Sequence, residues 1–366
     1  MNELAQSVTA KAQASLGAAG FFFEQLDVSP KKFKVNMITE SSFSQLVTIA
    51  TEFPVIYVDG GNNTLIDSPN MHVSALKVAV VTQTNELRKP PRFSVETVDA
   101  SVIITLEKID GKKRYVIDLK STATNNAISD NATADYSLPT FSPIELDDPI
   151  LANTDENRVM VSLCGHVRQM LEWHFAKQHV QSVAGPTLLV LDGSFSPKNS
   201  TQTDTLTDLL DSAAKKEVLA VAVSKSTSLT TTGGYAIGPF LMSHAPFTSM
   251  WSTSPLAESL TLPVTMHFAK LASRAEHVVR IDISKHNGGI DVNRAIGVLA
   301  WLSQDASFPG YPYGLIKADD LARVSQEERD YQATRLMMSL DPLTQKQIRM
   351  LSASSNAHSV LDSLKF

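Results

Sequence analysis

Two aspartates in this sequence occupy the same kind of position, because each follows an apolar run and precedes a glycine. Asp59 does so in FPVIYVDGG (53–61), and Asp192 does so in GPTLLVLDGS (185–194). A single Asp-Gly pair after a strand usually forms a turn, since both residues tolerate the backbone angles that turns need. Two copies, each ending a strongly apolar run, leave two interpretations about equally supported: two separate turns, or one chemical site that both aspartates share.

Carboxylates at the ends of neighbouring strands share a small space, where each raises the pKa of the other unless a cation lies between them. The sequence contains no HExxH motif and no Cys/His spacing typical of zinc. The remaining ligands are oxygens, which Mg²⁺ and Mn²⁺ prefer. Two such ions about 4 Å apart can activate a water and stabilise the leaving oxygen of a phosphodiester. That chemistry needs three or four carboxylates from separate elements.

Other charged residues come from further elements, and each has a second interpretation. Glu172 lies one turn after Arg168 in a long helix, a spacing that alone is more typical of a surface ion pair. Strand alternation in VVRIDIS places Arg280 and Asp282 on one face, which is turned either to the site or merely to solvent. Lys225 ends an apolar strand, from which it would neutralise a phosphate or simply reach solvent. We predict Glu172 as the third carboxylate of the site.

The order of elements predicts an α/β fold around a mixed sheet. Early strands that include a hairpin turning at Asp110-Gly111 are expected to be antiparallel. A long amphipathic helix at 156–179 is followed by strand, helix and strand, an order that predicts parallel neighbours. The predicted later elements are strands at 262–271 and 276–284, a helix at 291–303 and helices from about 315 onwards.

The bulk composition limits the protein class. Hydrophobic residues make up 43% of the chain, enough for a core, and the net charge of −6 rules out a uniformly basic coat for nucleic acid. The positive charge is clustered at 30–34, 87–92 and 110–114, where it is more often a solvated face than a phosphate footprint. The single cysteine, Cys164, excludes an intrachain disulfide and fits a reducing cytoplasm. No apolar run is long enough to span a bilayer, so no membrane association is expected.

The motifs in their order resemble the NurA family of DNA-end-processing nucleases, which have a ribonuclease-H-like fold. The matching segments are VIYVDGG (55–61), RQMLE (168–172), LLVLDGS (188–194), VAVSKS (221–226), VVRIDI (278–283) and GYPYGLIKAD (310–319). Each segment alone is a weak signal, but their order and spacing over most of the chain make the match fairly specific. The predicted fold is therefore a ribonuclease-H-like mixed sheet flanked by helices, with β-hairpin and helical insertions.

The resemblance implies which residues carry the chemistry. Asp59, Glu172 and Asp192 would be the core ligands of Mn²⁺ or Mg²⁺, bound as two ions, with Asp319 as a fourth ligand. Lys225 and Asp282 would complete the catalytic set. The glycines after Asp59 would let backbone, metal and DNA approach closely. The predicted DNA-binding residues are Arg280, Tyr311 and Tyr313. The two tyrosines would stack on bases, although packing within a turn is the commoner use of such aromatic residues.

Two positions depart from the family pattern. The family usually has a glutamate where this chain has Asp282, a shorter carboxylate that can still bind a metal. The family's motif beginning GYP ends in a histidine, and this chain has Asp319 there. Aspartate can replace histidine as a ligand but hardly as a proton carrier at neutral pH. A weakened or altered activity is therefore one interpretation, in which the chain acts mainly as a scaffold for a DNA-translocating partner.

The resemblance also implies partners and a domain division. The family partners are DNA, a second copy of the chain in a homodimer, and HerA, a hexameric ATPase that feeds DNA into the nuclease. We predict an N-terminal helical arm and strand over 1–50, a nuclease domain over 51–345 and a C-terminal helical tail over 346–366. Within the nuclease domain, the polar, turn-rich segment at about 121–150 is expected to be an exposed insertion.

Other chemistries have less support. The sequence has no GxxxxGK[ST] motif for ATP, and LDGSFS lacks the G-x-S-x-G elbow that would make Ser194 a nucleophile. A metal-dependent phosphatase acting on small substrates stays open as a third interpretation.

Overall fold

The computed structural model describes residues 2–15, 24–51, 53–85, 90–121, 137–152, 154–155, 158–183, 185–286 and 289–355. Its helices are α1 (Asn2–Ser15), α2 (Val159–Ser182), α3 (Ser200–Lys215), α4 (Ile237–His244), α5 (Val292–Leu302), α6 (Tyr313–Ala322), α7 (Gln326–Ser339) and α8 (Pro342–Ser355). Its strands are β1 (Phe33–Val35), β2 (Phe43–Gln45), β3 (Val55–Ser68), β4 (Met71–Thr84), β5 (Arg92–Ile109), β6 (Lys112–Ser121), β7 (Ile144–Glu145), β8 (Thr187–Asp192), β9 (Val218–Ser224), β10 (Trp251–Thr253), β11 (Ala257–Ser259), β12 (Val264–Lys270) and β13 (Val279–Ser284).

The strands of the described residues join one mixed sheet in the order β1-β11-β12-β13-β9-β8-β3-β4-β5-β6-β7, with β10 pairing with both β12 and β2. β3, β8 and β9 are parallel neighbours at its centre. On one side of them β3 to β6 form an antiparallel meander, and on the other side β13 pairs antiparallel with β9. The predicted mixed sheet is confirmed, with hairpin-linked strands antiparallel and helix-linked strands parallel.

The central strands are apolar throughout because helices cover both faces of the sheet. One face packs against α2 and α3, in a core that includes Val58, Leu163 and Leu191. The other face packs against α5 and α6, around Tyr57, Val190 and Leu315. The three-layer arrangement buries β8 and β9 almost completely, so residues at their carboxyl ends have little freedom to move.

The hairpin between β5 and β6 turns where the sequence predicts. Asp110 and Gly111 both have positive φ, 52° and 81°, which is the backbone of a two-residue type I′ turn. Asparagine, aspartate and glycine are the residues that adopt this backbone most readily, so Asp-Gly fixes the register of the two strands.

The first aspartate strand is longer than the sequence predicts. β3 does not end at Asp59 but continues through Gly60 and Gly61 to Ser68, paired with β4 along its whole length. The parallel partner β8 ends at Asp192, whereas the antiparallel partner continues, so β3 leaves the three-layer core as one strand of a hairpin. Asp59 is therefore held in mid-strand.

A third core lies under β10 to β12, at the far side of the sheet. It joins Leu26, Ile38 and Phe43 from the N-terminal segment to Phe240 in α4 and Trp251 in β10. Residues 24–46 therefore pack into the sheet, whereas α1 exposes its apolar side chains Leu4 and Val8. The predicted division into arm, domain and tail stays a prediction.

The predicted insertion at about 121–150 falls partly outside the described residues, which resume at 137. Its last part contains β7, which pairs with β6 through Glu145 and Ile144. Among the described helices, none combines the length and the apolar character needed to cross a membrane.

Candidate metal centre

The register of the central strands brings the two aspartates of the sequence side by side. Val58 in β3 pairs with Leu191 in β8, and the next residue in each strand is the aspartate. Because side chains alternate along a strand, Asp59 and Asp192 share a face with Tyr57 and Val190, the face covered by α5 and α6. The carboxylates therefore lie on one face of the sheet, on adjacent strands.

A third carboxylate comes from α6, which packs across β3 at this level. One carboxylate oxygen each from Asp59, Asp192 and Asp319 lies within 4.8 Å of the others. The close approach of α6 depends on Gly314, where a Cβ atom would lie 2.1 Å from the Tyr57 ring. Three carboxylate oxygens from three elements, with Asp59 almost fully buried, form a donor set that fits a small divalent cation such as Mg²⁺ or Mn²⁺.

Lys225 lies against two of these aspartates. Its Nζ donates a hydrogen bond to Oδ1 of Asp319 at 2.8 Å and lies 3.3 Å from Oδ2 of Asp192. Arg323, one turn after Asp319 in α6, contacts the second oxygen of that carboxylate at 3.3 Å. Lys225 and Arg323 together orient the Asp319 carboxylate toward Asp59 and Asp192. The Lys225 ammonium therefore points toward the carboxylates.

Tyr311 fixes the orientation of Asp192. Its hydroxyl donates a hydrogen bond to Oδ1 of Asp192 at 2.6 Å, while its ring is fully buried beneath the ammonium of Lys225. Burial, together with the charge of Asp192, raises the pKa of the Tyr311 hydroxyl well above its usual range, so the group stays a donor. The predicted base stacking by Tyr311 is wrong in this structure, because the ring has no exposed face. Tyr313 is partly exposed and makes an edge contact with Phe93.

Glu172 enters from the other face of the sheet. It lies on α2, is buried, and forms a close ion pair with Arg168, whose Nη1 also donates to the carbonyl oxygen of Gly60 at 2.6 Å. The same Nη1 is 3.9 Å from Oδ1 of Asp59. The surface ion pair that the spacing alone favoured is therefore ruled out: the pair is i,i+4, but it lies inside the protein beside the aspartates.

The two glycines after Asp59 make this approach possible. A Cβ atom on Gly60 would lie 2.6 Å from Oε1 of Glu172, and one on Gly61 would lie 2.2 Å from the carbonyl oxygen of Ala322 at the end of α6. The close neighbours of the Asp-Gly-Gly segment are thus the protein's own α2 and α6, one on each side of β3. The approach of metal and DNA at these glycines stays a prediction.

Burial and mutual repulsion shift the ionisation of the site. Burial, then the charge of Asp192, raises the pKa of Asp59 to about 7, although the Gly60 amide, Lys225 and Arg168 oppose the shift. Burial likewise raises the pKa of Glu172 even though Arg168 opposes it. Asp319 differs: Lys225 and Arg323 outweigh burial and lower its pKa. Ionising every carboxyl of the site therefore requires more positive charge than Lys225, Arg168 and Arg323 supply.

Arg280 and Asp282 form a buried pair rather than a solvent-facing surface. Asp282 accepts hydrogen bonds from Nε and Nη2 of Arg280 at 2.8 and 2.7 Å and from the Phe195 amide at 2.9 Å. Nη2 of Arg280 also donates to Ser196. The pair holds the loop that follows Asp192. Arg280 is too buried to contact DNA as predicted, and Asp282 lies outside the group of three aspartates.

Asp67, His72 and Ser74 form a chain of hydrogen bonds of the kind found in serine hydrolases. His72 Nδ1 lies 3.1 Å from Asp67, and its Nε2 lies 2.8 Å from the Ser74 hydroxyl. Both His72 and Ser74 are completely buried, so no substrate can reach the hydroxyl. We assign this chain a structural role in the β3–β4 hairpin.

A mixed sheet with carboxylates on adjacent parallel strands and on a covering helix defines an α/β protein with a metal-type acidic centre, compatible with a ribonuclease-H-like fold. A family model, the NurA domain, matches residues 54–324, most of the chain, and the chain belongs to this nuclease family. A search of curated proteins found no match.

Proposed function

We propose that the protein is a metal-dependent deoxyribonuclease that processes DNA ends, acting as an exonuclease and single-strand endonuclease in break repair or phage defence. The single observation that carries this proposal is the group of Asp59, Asp192 and Asp319 in a NurA domain, with three carboxylate oxygens within 4.8 Å. The family motifs assign Asp59, Glu172 and Asp192 as core ligands, and two of these three, Asp59 and Asp192, belong to this group.

In this proposal the three aspartates hold Mn²⁺ or Mg²⁺. When bound, such an ion polarises a phosphoryl oxygen and lowers the pKa of a water molecule. Tyr311 keeps Asp192 oriented through its hydrogen bond. The Gly60 amide orients Asp59 by donating a hydrogen bond of 2.7 Å to its carboxylate. Lys225, with about a third of its side chain exposed, is placed to neutralise a phosphate.

Glu172 and Arg168 act beside this group. Arg168 holds Glu172 and the Gly60 carbonyl, and so fixes the backbone next to Asp59. Asp282 contributes at a distance, because with Arg280 it ties the Phe195–Ser196 loop that follows Asp192. Asp59, Asp192 and Asp319 thus face the ion, whereas Glu172 and Asp282 help to position the backbone beside them.

The test is cleavage of end-labelled single- and double-stranded DNA by the purified chain with Mn²⁺, Mg²⁺ or EDTA. We expect cleavage with either ion and none with EDTA, because the carboxylates alone supply no electrophile. Nitrophenyl phosphate serves as the parallel substrate: its turnover without DNA cleavage would favour the small-substrate phosphatase instead.

A catalytically weakened scaffold is the alternative, and Asp319 is the observation that favours it. The family has a histidine at this position, whereas both carboxylate oxygens of Asp319 contact cations, Lys225 and Arg323. DNA binding without cleavage under every metal condition would support the scaffold, whose role would be to dock a DNA translocase.

We further propose a homodimer that works with a HerA-type hexameric ATPase. The basic tip of the β5–β6 hairpin, with Lys112 and Lys113 exposed, is too small to track duplex DNA alone, since affinity for DNA scales with the number of phosphate contacts. A dimer doubles this charge around one channel.

Sedimentation is expected to give twice the 39.8 kDa mass of the chain. Adding the ATPase with ATP should stimulate degradation of long duplexes, while the ATPase without ATP serves as the control. A monomer that digests long duplex DNA processively without any ATPase would contradict this proposal.

A further inference from the structure

The four acidic side chains at this site do not face one space. Asp59, Asp192 and Asp319 converge on the α6 side of the sheet. Glu172 lies against Gly60. Because successive residues of β3 face opposite sides of the sheet, this is the side opposite to the Asp59 carboxylate. Three carboxylates thus face one side, and the fourth approaches from the other.

Arg168 occupies the space between Glu172 and the aspartates. Its guanidinium contacts Glu172, lies 3.9 Å from Asp59, and is anchored by the hydrogen bond to the Gly60 carbonyl. A divalent ion between Glu172 and Asp59 would have to displace this guanidinium, which would break its ion pair with the buried Glu172 and its hydrogen bond to the Gly60 carbonyl.

Lys225 occupies the corresponding space between the other two carboxylates. Its ammonium lies 2.8 Å from Asp319 and 3.3 Å from Asp192, and it stands 5.1 Å from the centre of the Tyr311 ring. Each pair of carboxylates is therefore already bridged by one protein cation. Arg323 also contacts Asp319, but 64% of its side chain is exposed, so water screens its charge.

We propose that this centre takes a single divalent cation, because Arg168 and Lys225 already supply the positive charge that a second ion would bring. When all four carboxylates are ionised, two side-chain cations leave an excess of two negative charges, which one divalent ion neutralises. A second ion would create the opposite excess beside Asp59 and Glu172, which are buried. This inference rests on the proposed function, and it replaces the two ions that the sequence predicts.

Lys225 then has a definite part in the reaction. In a two-ion centre the second ion stabilises charge on the leaving oxygen. With one ion, the ammonium of Lys225 is the positive charge on the other side of Asp192 and Asp319, and about a third of its side chain is open to substrate. Its ammonium already contacts both carboxylates, at 2.8 Å from Asp319 and 3.3 Å from Asp192.

Counting bound Mn²⁺ tests the inference without relying on activity. Metal-free protein is titrated with Mn²⁺ in the absence of DNA, and free Mn²⁺ is measured by electron paramagnetic resonance. We expect one bound ion per wild-type chain. Lys225→Gln should admit a second, weaker ion, and two ions about 4 Å apart should show the broadened spectrum of a coupled pair.

Three further variants separate charge from damage to the fold. Lys225→Arg keeps the positive charge and should keep one ion. Arg114→Gln is the control: Arg114 lies on β6, away from the aspartates, and pairs with Glu145 on β7. This variant should also keep one ion. Arg168→Gln should behave as Lys225→Gln does, with its thermal melting recorded because it leaves Glu172 unpaired.

Each result decides between the possibilities. Two ions in the wild-type chain would overturn the single-ion centre and leave the proposed nuclease intact. One ion in both Lys225→Gln and Arg168→Gln would show that these side chains do not limit the count, which also overturns the inference. No bound Mn²⁺ in any form would refute the metal-dependent function itself.

Discussion

Asp59→Asn and Asp192→Asn are each expected to lower Mn²⁺-dependent DNA cleavage by roughly 10³-fold or more while the protein stays folded. Each variant removes one of three charged oxygens that converge within 4.8 Å, and an amide oxygen binds a divalent ion far more weakly. The side chain keeps its size, so the packing of β3, β8 and α6 should persist. Initial rates on end-labelled DNA at several Mn²⁺ concentrations provide the measurement.

Asp59→Asn should also make the metal-free protein more stable, and this gain in stability should grow as the pH rises. Burial and Asp192 raise the pKa of Asp59 from 3.8 to about 7. Below about pH 3 the carboxyl is mostly neutral in both the folded and the unfolded chain, and it adds almost no penalty. As pH rises from 4 to 7 the unfolded chain ionises first, so the wild-type protein loses stability, and above pH 7 the full penalty remains.

Thermal or urea melts in EDTA should therefore show Asp59→Asn more stable than wild type at pH 8, by on the order of 4 kcal/mol. The difference should vanish below about pH 3. Added Mn²⁺ should stabilise the wild type and not the variant, because only the wild type keeps the full ligand set. Asp118→Asn, an exposed residue on β6, is the matched control and should change neither cleavage nor melting. Wild-type cleavage by either site variant would place the active site elsewhere.

Gly61→Ala is expected to destabilise the protein by about 3 kcal/mol, because overpacking against fixed backbone cannot be relieved by a rotamer change. The added Cβ would lie 2.2 Å from the carbonyl oxygen of Ala322, so α6 has to move away from β3. Asp319 is on α6, and its displacement should lower cleavage as well. Urea denaturation followed by circular dichroism measures the first effect.

Gly165→Ala provides the control, since it makes the same chemical change in α2, where a Cβ atom would meet nothing within 4 Å. Alanine is favoured over glycine inside a helix, so this variant should gain up to about 1 kcal/mol. Equal stabilities for the two alanine variants would mean that β3 and α6 are not in close contact in solution.

The sequence predicted most of the frame because its signals are local. Apolar runs marked the central strands, Asp110-Gly111 marked the hairpin turn, and the helix order implied parallel pairing. The neighbouring positions of Asp59 and Asp192 followed from these elements alone. The end of β3 was misjudged because Asp-Gly-Gly has the composition of a turn, whereas the long partner β4 keeps those residues extended.

Burial of side chains was the part that the sequence could not supply. Strand alternation put Arg280 and Asp282 on one face, but only the fold shows that the Phe195–Ser196 loop covers that face. The motif around Tyr311 allowed both base stacking and packing, and the fold shows that its ring is packed. Its burial depends on α6 crossing β3, a contact between distant parts of the chain. The i,i+4 pair of Arg168 and Glu172 has the same spacing at a surface and in a core.

The three converging aspartates come from β3, β8 and α6, which lie far apart along the chain. Bringing them together requires two long loops to close, and contacts of this kind form slowly. Asp319 is synthesised last of the three, so a nascent chain that ends before α6 cannot assemble the group. We therefore expect the cation to bind a chain that has already folded its sheet, rather than to guide that folding. A growing chain would then remain inert toward nucleic acid until its synthesis has passed α6.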